Sequence, residues 1–138
     1  MPMVSVSRWD AFASRPGMGN PAGIVWDGGN WTPEQMQAIA AKVGFSETAF
    51  LCPSDSADLR LRYFTPGQEM DLCGHATIAS IAGWMARQGE QGRRALTIET
   101  RAGVLQTEYD GATGEVTMTQ ADADFRPYPG QADQVAAA

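Results

Sequence analysis

Val4 and Val6 alternate with Ser5 and Ser7, the period-2 pattern of a strand with one buried face, and predict a first strand over 4–12. Arg15-Pro16-Gly17-Met18-Gly19-Asn20-Pro21 is dense in turn formers and reads as a loop, after which 22–26 resumes as a strand. Thr32-Pro33-Glu34-Gln35 has the form of a helix start: Thr32 caps, Pro33 suits the first turn, and Gln35 stands where a capping-box partner reaches back. Met36, Ile39, Ala40 and Val43 follow at helical spacing, and Gly44 is placed as a stop.

Two extended segments are predicted next, at 45–51 and 58–65, on either side of a turn at Pro53-Ser54-Asp55. In the second, Leu59, Leu61 and Tyr63 alternate with Arg60, Arg62 and Phe64. After Cys73-Gly74-His75 comes a second helix, with Ile78, Ile81, Ala82 and Met85 on one stripe and Ala76, Ala79, Ser80 and Gly83 around it; Gly89 ends it. So many small residues let other elements approach closely, which marks this helix as central. Strands at 95–100, 104–109 and 115–119, joined by glycine-containing turns, complete a meander. From Ala121 onward no periodicity remains, so 1–120 is expected to be one domain and 121–138 a tail or the start of a linker. Runs of strands interrupted by two helices, without regular βαβ alternation, give an α+β class: a mostly antiparallel curved sheet or barrel wrapped around the helix at 76–88.

A chain of 138 residues is long enough to bury a core without disulfides or metals. Its net charge of −6 offers no attraction for nucleic acid or an anionic membrane surface. No stretch approaches the roughly 20 apolar residues of a membrane span, and Met1 to Asp10 lacks the features of a signal peptide, so a cytoplasmic location is expected. Cys52 and Cys73 are then expected as free thiols. One histidine and no Cys-x-x-Cys pair fall short of a zinc ligand set, so no metal is expected.

Three places carry candidate chemistry. Glu47 lies between Phe45 and Phe50, where partial burial favours acid/base work; a solvated strand-start carboxylate is the plainer reading. Glu69-Met70-Asp71-Leu72-Cys73-Gly74-His75-Ala76-Thr77 sets carboxylates, a thiol, an imidazole and a hydroxyl at a helix start, whose free N–H groups suit an anion. There the plainer reading has Asp71 capping the helix or meeting its dipole, His75 bonded to a carbonyl and Cys73 as a small buried hydrophobe. Asn20, in Gly19-Asn20-Pro21-Ala22-Gly23, serves either a ligand or its own turn.

Together, Asp10-Ala11-Phe12, Gly19-Asn20-Pro21-Ala22-Gly23, Ser46-Glu47-Thr48-Ala49-Phe50, Arg62-Tyr63-Phe64-Thr65-Pro66 and the Glu69 to Thr77 stretch resemble, in order and spacing, the PhzF-like family of phenazine biosynthesis. That family is similar in fold to diaminopimelate epimerase, with two like domains and an active site in the cleft between them. The resemblance covers only the first domain. It implies a cofactor-independent isomerase of the kind that moves a proton along the allylic system of trans-2,3-dihydro-3-hydroxyanthranilate. Glu47 would carry the proton and His75 would assist. Asn20, Asp71, Cys73, Gly74, Ala76 and Thr77 would bind a small carboxylate. Completing the cleft would take a homodimer or a separately encoded C-terminal half. A cysteine-based epimerase using Cys73, and a non-catalytic binding protein that keeps half of the pocket, are the alternatives.

Overall fold

The computed structural model describes residues 3–11 and 19–119. Phe12, most of the first predicted loop and the segment 121–138 therefore lie outside the described residues. The strands are β1 (Ser7–Ala11), β2 (Asn20–Val25), β3 (Thr48–Cys52), β4 (Leu59–Phe64), β5 (Glu69–Met70), β6 (Arg93–Thr100), β7 (Gly103–Asp110) and β8 (Glu115–Met118). A 3-10 turn at Gly28–Asn30 and helix α1 (Pro33–Val43) separate β2 from β3, and helix α2 (Gly74–Arg87) separates β5 from β6. One sheet runs β1-β2-β3-β4-β6-β7-β8, with β5 added against β4. Its pairings are antiparallel except β2 with β3 and β4 with β6, and those two parallel pairs are the ones bridged by helices.

The sheet curls around α2, which touches β1, β2, β3, β7 and β8. Alternation along the strands sends side chains to two cores. Ile24, Ala49, Leu51, Leu59, Leu61 and Tyr63 pack with α2, whereas Val25, Phe50 and Phe64 pack with Met36, Ile39 and Ala40 of α1. Phe64, expected beside the arginines on the outer face, is buried because α1 covers that face; its ring meets Phe50 edge to face at 5.4 Å. Val4 and Val6 precede the observed β1 and pack against the α1 core without joining the ladder.

The α1 start forms as the sequence indicates. Gln35 N donates to Thr32 Oγ1 at 3.2 Å and Thr32 N donates to Gln35 Oε1 at 2.9 Å, so the capping box is complete. Gly44 closes the helix at φ +78°, a left-handed conformation that glycine adopts without steric cost. That turn delays the next strand. Phe45 and Ser46 form a bend, β3 begins only at Thr48, and Glu47 sits in the connection between them.

In α2 the buried face differs from the predicted stripe. Ile81 and Met85 are in the core, but so are Ala76, Thr77, Ala79, Ser80 and Gly83, while Ile78 and Ala82 are only half-buried. The reason is geometric: Trp9 of β1 and Trp26, just after β2, approach α2 so closely at Gly83 that even a Cβ there would stand 2.6 Å from Trp26. Ile78 and Ala82 instead line a groove of about 610 Å³ between the sheet edges, with Trp9 and Ala11 of β1 on one side and Val116 of β8 on the other.

Candidate functional site

Helix α2 starts at the candidate chemistry. Cys73 is its extended N-cap residue, with φ −138° and ψ 115°, and the first helical bond runs from Thr77 N to Cys73 O at 3.0 Å. The N–H groups of Gly74, His75 and Ala76 therefore precede the helical hydrogen-bond ladder and lie at its positive end. Gly74 leaves that end open: a Cβ added there would meet only Met118 Cε, at 3.9 Å.

Glu47 reaches the same place from the other side. Its backbone carbonyl accepts from Gly23 N at 3.1 Å, which fixes the connection against β2, and its carboxylate Oε2 accepts from Ser46 Oγ at 2.6 Å. His75 stands between the two elements. Its Nε2 lies 3.1 Å from Glu47 Oε2 and its Nδ1 lies 3.3 Å from Cys73 Sγ. The Nε2 contact is short but poorly directed: the atom is buried and has no hydrogen-bond partner along its own axis. Glu47 and His75 side chains are 18% and 19% exposed, so a ligand can still reach them. Burial pushes the Cys73 thiol above its usual range; the Ala76 N–H opposes this, the Glu47 charge adds to it, and the His75 N–H opposes it again. At neutral pH the group is a thiol, not a thiolate.

Glu47, Cys73, His75 and the Gly74 backbone are thus brought together from two separate elements. The other sequence candidates are placed differently. The side chains of Ala76 and Thr77 are fully buried. Thr77 Oγ1 donates to Cys73 O at 2.8 Å and is 2.6 Å from the Tyr63 hydroxyl, so it fixes the N-cap from within. Burial raises the Tyr63 hydroxyl well above the ordinary phenol range, keeping it neutral there. Asp71 is exposed and pairs with Arg101 Nε at 3.3 Å. Asn20 is exposed at the start of β2, opposite Ala11.

Sequence reasoning missed the scaffold of this site. Arg62, one of the residues alternating with Leu59, Leu61 and Tyr63 in the predicted strand, donates to both oxygens of Glu69, at 2.8 and 2.7 Å, and Arg101 Nη1 adds a contact to Glu69 at 3.1 Å. These pairs tie β4 and the turn after β6 to the segment leading into α2. The only sequence signal was a basic residue on a strand and an acidic one shortly after it. The Arg62 guanidinium holds the Glu69 carboxyl below its usual 4.5. A depressed folded-state pKa contributes stability above the unfolded value, and that contribution is lost as pH falls through the folded one. Thermal melts of Glu69→Gln and the parent should therefore differ most above about pH 4.5 and converge in acid.

The model of the family described as phenazine biosynthesis-like protein matches residues 9–133. The chain belongs to that family. An uncharacterized isomerase of Bacillus subtilis, YfhB, is 43% identical over 99% of this chain and 47% of its own length. The trans-2,3-dihydro-3-hydroxyanthranilate isomerase of Pseudomonas aeruginosa is 34% identical over 78% of this chain and 38% of its own length. Among solved structures, a phenazine biosynthesis protein of the PhzF family from Bacillus anthracis superposes with a TM-score of 0.78 at 49% identity, covering 86% of this chain and 40% of that one. The chain spans about half the length, or less, of the curated relatives it matches. As a member of the phenazine biosynthesis-like family it is related to isomerases, and its α+β fold is theirs. Among the described residues no helix is long and apolar enough to cross a membrane.

Proposed function

We propose that this chain is half of a cytoplasmic, cofactor-independent isomerase that transfers a proton within a small unsaturated carboxylic acid. The observation that carries this reading is the placing of the Glu47 carboxylate, beside His75, at the open N-terminus of α2. The substrate carboxylate takes the Gly74 N–H at the positive end of α2. Glu47, ionised, removes a proton from the carbon next to the double bond, the electron pair shifts along the allylic system, and Glu47 returns the same proton to the far carbon. Nothing is gained or lost, so the products are an isomer and the original carboxylate. His75 lies close enough to Glu47 to polarise the reacting system or share the proton.

With Glu47 and His75 still 18% and 19% exposed, the site does not by itself exclude water from this chemistry. A second domain completes it, supplied by another copy of the chain, by a separately encoded C-terminal half or by further residues of a longer polypeptide. The cysteine-base alternative is disfavoured by burial, which keeps Cys73 protonated. In a pure binding role, the pocket would hold the acid without turnover. The acid named for the Pseudomonas relative, trans-2,3-dihydro-3-hydroxyanthranilate, is the first compound to try in the assembled form, beside its methyl ester. Isomerisation of the acid with a large loss for the ester supports a carboxylate held at Gly74. Equal turnover of acid and ester contradicts it.

A further inference from the structure

Glu47, Cys73 and His75 supply an oxygen, a sulfur and a nitrogen that all lie within 4.8 Å of one another. We propose that these three side chains form a binding site for a single thiophilic divalent cation, Zn²⁺ or a close relative, and that occupancy of this site shuts off proton transfer. Only the second half of that statement rests on the isomerase reading.

The donor set suits the ion. Thiolate, imidazole and carboxylate are all zinc ligands, and three protein ligands with an open fourth position describe an accessible zinc site. A soft sulfur and an imidazole also select against Mg²⁺ and Ca²⁺, which favour oxygen cages. Bonds of about 2.0–2.3 Å place neighbouring tetrahedral donors roughly 3.3–3.8 Å apart. The Cys73 Sγ to His75 Nδ1 distance of 3.3 Å and the His75 Nε2 to Glu47 Oε2 distance of 3.1 Å are already near that spacing. The ring now offers one nitrogen to each neighbour, so binding requires the imidazole to turn until one nitrogen faces both. Little opposes that turn on the Glu47 side, because the buried Nε2 has no hydrogen bond to give up.

Outer contacts are in place as well. Ser46 Oγ bonds Glu47 Oε2 at 2.6 Å, and the N–H groups of Ala76 and His75 act on the Cys73 sulfur. Such partners orient ligands and strengthen metal sites. Beside the site, a Cβ on Gly74 would meet only Met118 Cε, at 3.9 Å, which leaves room for an exchangeable fourth ligand. A thiolate and a carboxylate together cancel the charge of the dication, and the thiol proton is released on binding. The ion would occupy the Glu47 oxygen needed as the base, so it inhibits and is no cofactor.

No motif spacing announced this site, because the carboxylate comes from the connection before β3 and the other two ligands from the start of α2. The test uses the whole chain, stripped with chelator and titrated with Co²⁺ and then Zn²⁺. One Co²⁺ per chain is expected, with a near-ultraviolet thiolate-to-metal band that Zn²⁺ abolishes. Cys73→Ser and Glu47→Gln should each weaken Zn²⁺ at least about 100-fold, more than the 10–100-fold typical of losing an outer partner. Cys52→Ser should leave affinity unchanged. Absence of stoichiometric binding, a cobalt spectrum without the thiolate band, or full affinity in either ligand variant would overturn the proposal. If Cys73→Ser does not fold, the isosteric Glu47→Gln decides. All of these readouts are independent of turnover, so failure of the metal site and failure of the isomerase reading are told apart. In an active assembly, Zn²⁺ should stop turnover and chelator should restore it.

Discussion

Glu47→Gln in the assembled enzyme should lower turnover by about 10²–10⁴-fold, the range for removing a positioned acid/base group. The amide keeps the size of the side chain and can still meet Ser46 and His75, so the fold and the Gly74 anion site persist. Affinity for a carboxylic acid that cannot react should therefore change little, and the loss should fall on kcat. Rates and ligand binding measured side by side check this. A variant with equal loss of binding would place Glu47 in ligand recognition, and one with undiminished turnover would remove it from the chemistry.

Gly83→Leu should cost about 3 kcal/mol, the upper end of the range for overpacking, despite the better helix propensity of leucine. Even a Cβ at Gly83 would stand 2.6 Å from Trp26 Cη2 and 2.8 Å from Trp9 Cε2. Trp26 cannot retreat easily. Its Nε1 donates to Ser7 Oγ at 2.9 Å, and the Arg87 guanidinium lies 4.7 Å from its ring centre. Relief would have to come from α2, which carries Cys73, Gly74 and His75 at its start. Urea unfolding of this variant should show a lower midpoint with unchanged slope. Gly67→Ala, where a Cβ would meet nothing within 4 Å, is the neutral control.

Legibility in the sequence followed the range of the interactions. The α1 helix was readable because its capping box and its glycine stop act within four residues, and β4 because alternation is local. The buried face of α2 was misread because hydrophobicity ranks Ile78 and Ala82 above Gly83 and Ser80. The deciding factor was how closely Trp9 and Trp26 approach, which depends on strands far away in sequence. Glu47 was expected in a strand and lies in the connection just before it, since the left-handed Gly44 turns the chain before β3 can begin.

The candidate site was legible as two fragments, Glu47 and the Cys73-Gly74-His75 helix start. Their meeting was not, because it depends on the parallel pairing of β2 with β3 and on α2 inside the curl. The internal supports were hidden for a different reason. Tyr63 alternates with polar residues and reads as core, so nothing marks its hydroxyl as the partner of Thr77. Ion pairs such as Arg62 with Glu69 need the β4 to β5 register, which two residues of strand do not announce.

The measurement that bears most directly on a half-built proton-transfer site is turnover per chain as a function of concentration, read beside the mass from light scattering. At dilutions where the mass is that of one 14.8 kDa chain, turnover should be absent; it should appear as a second domain is recruited by assembly. Undiminished turnover in the single-chain form would contradict the claim, because it would mean that Glu47, His75 and the start of α2 need no second domain to act.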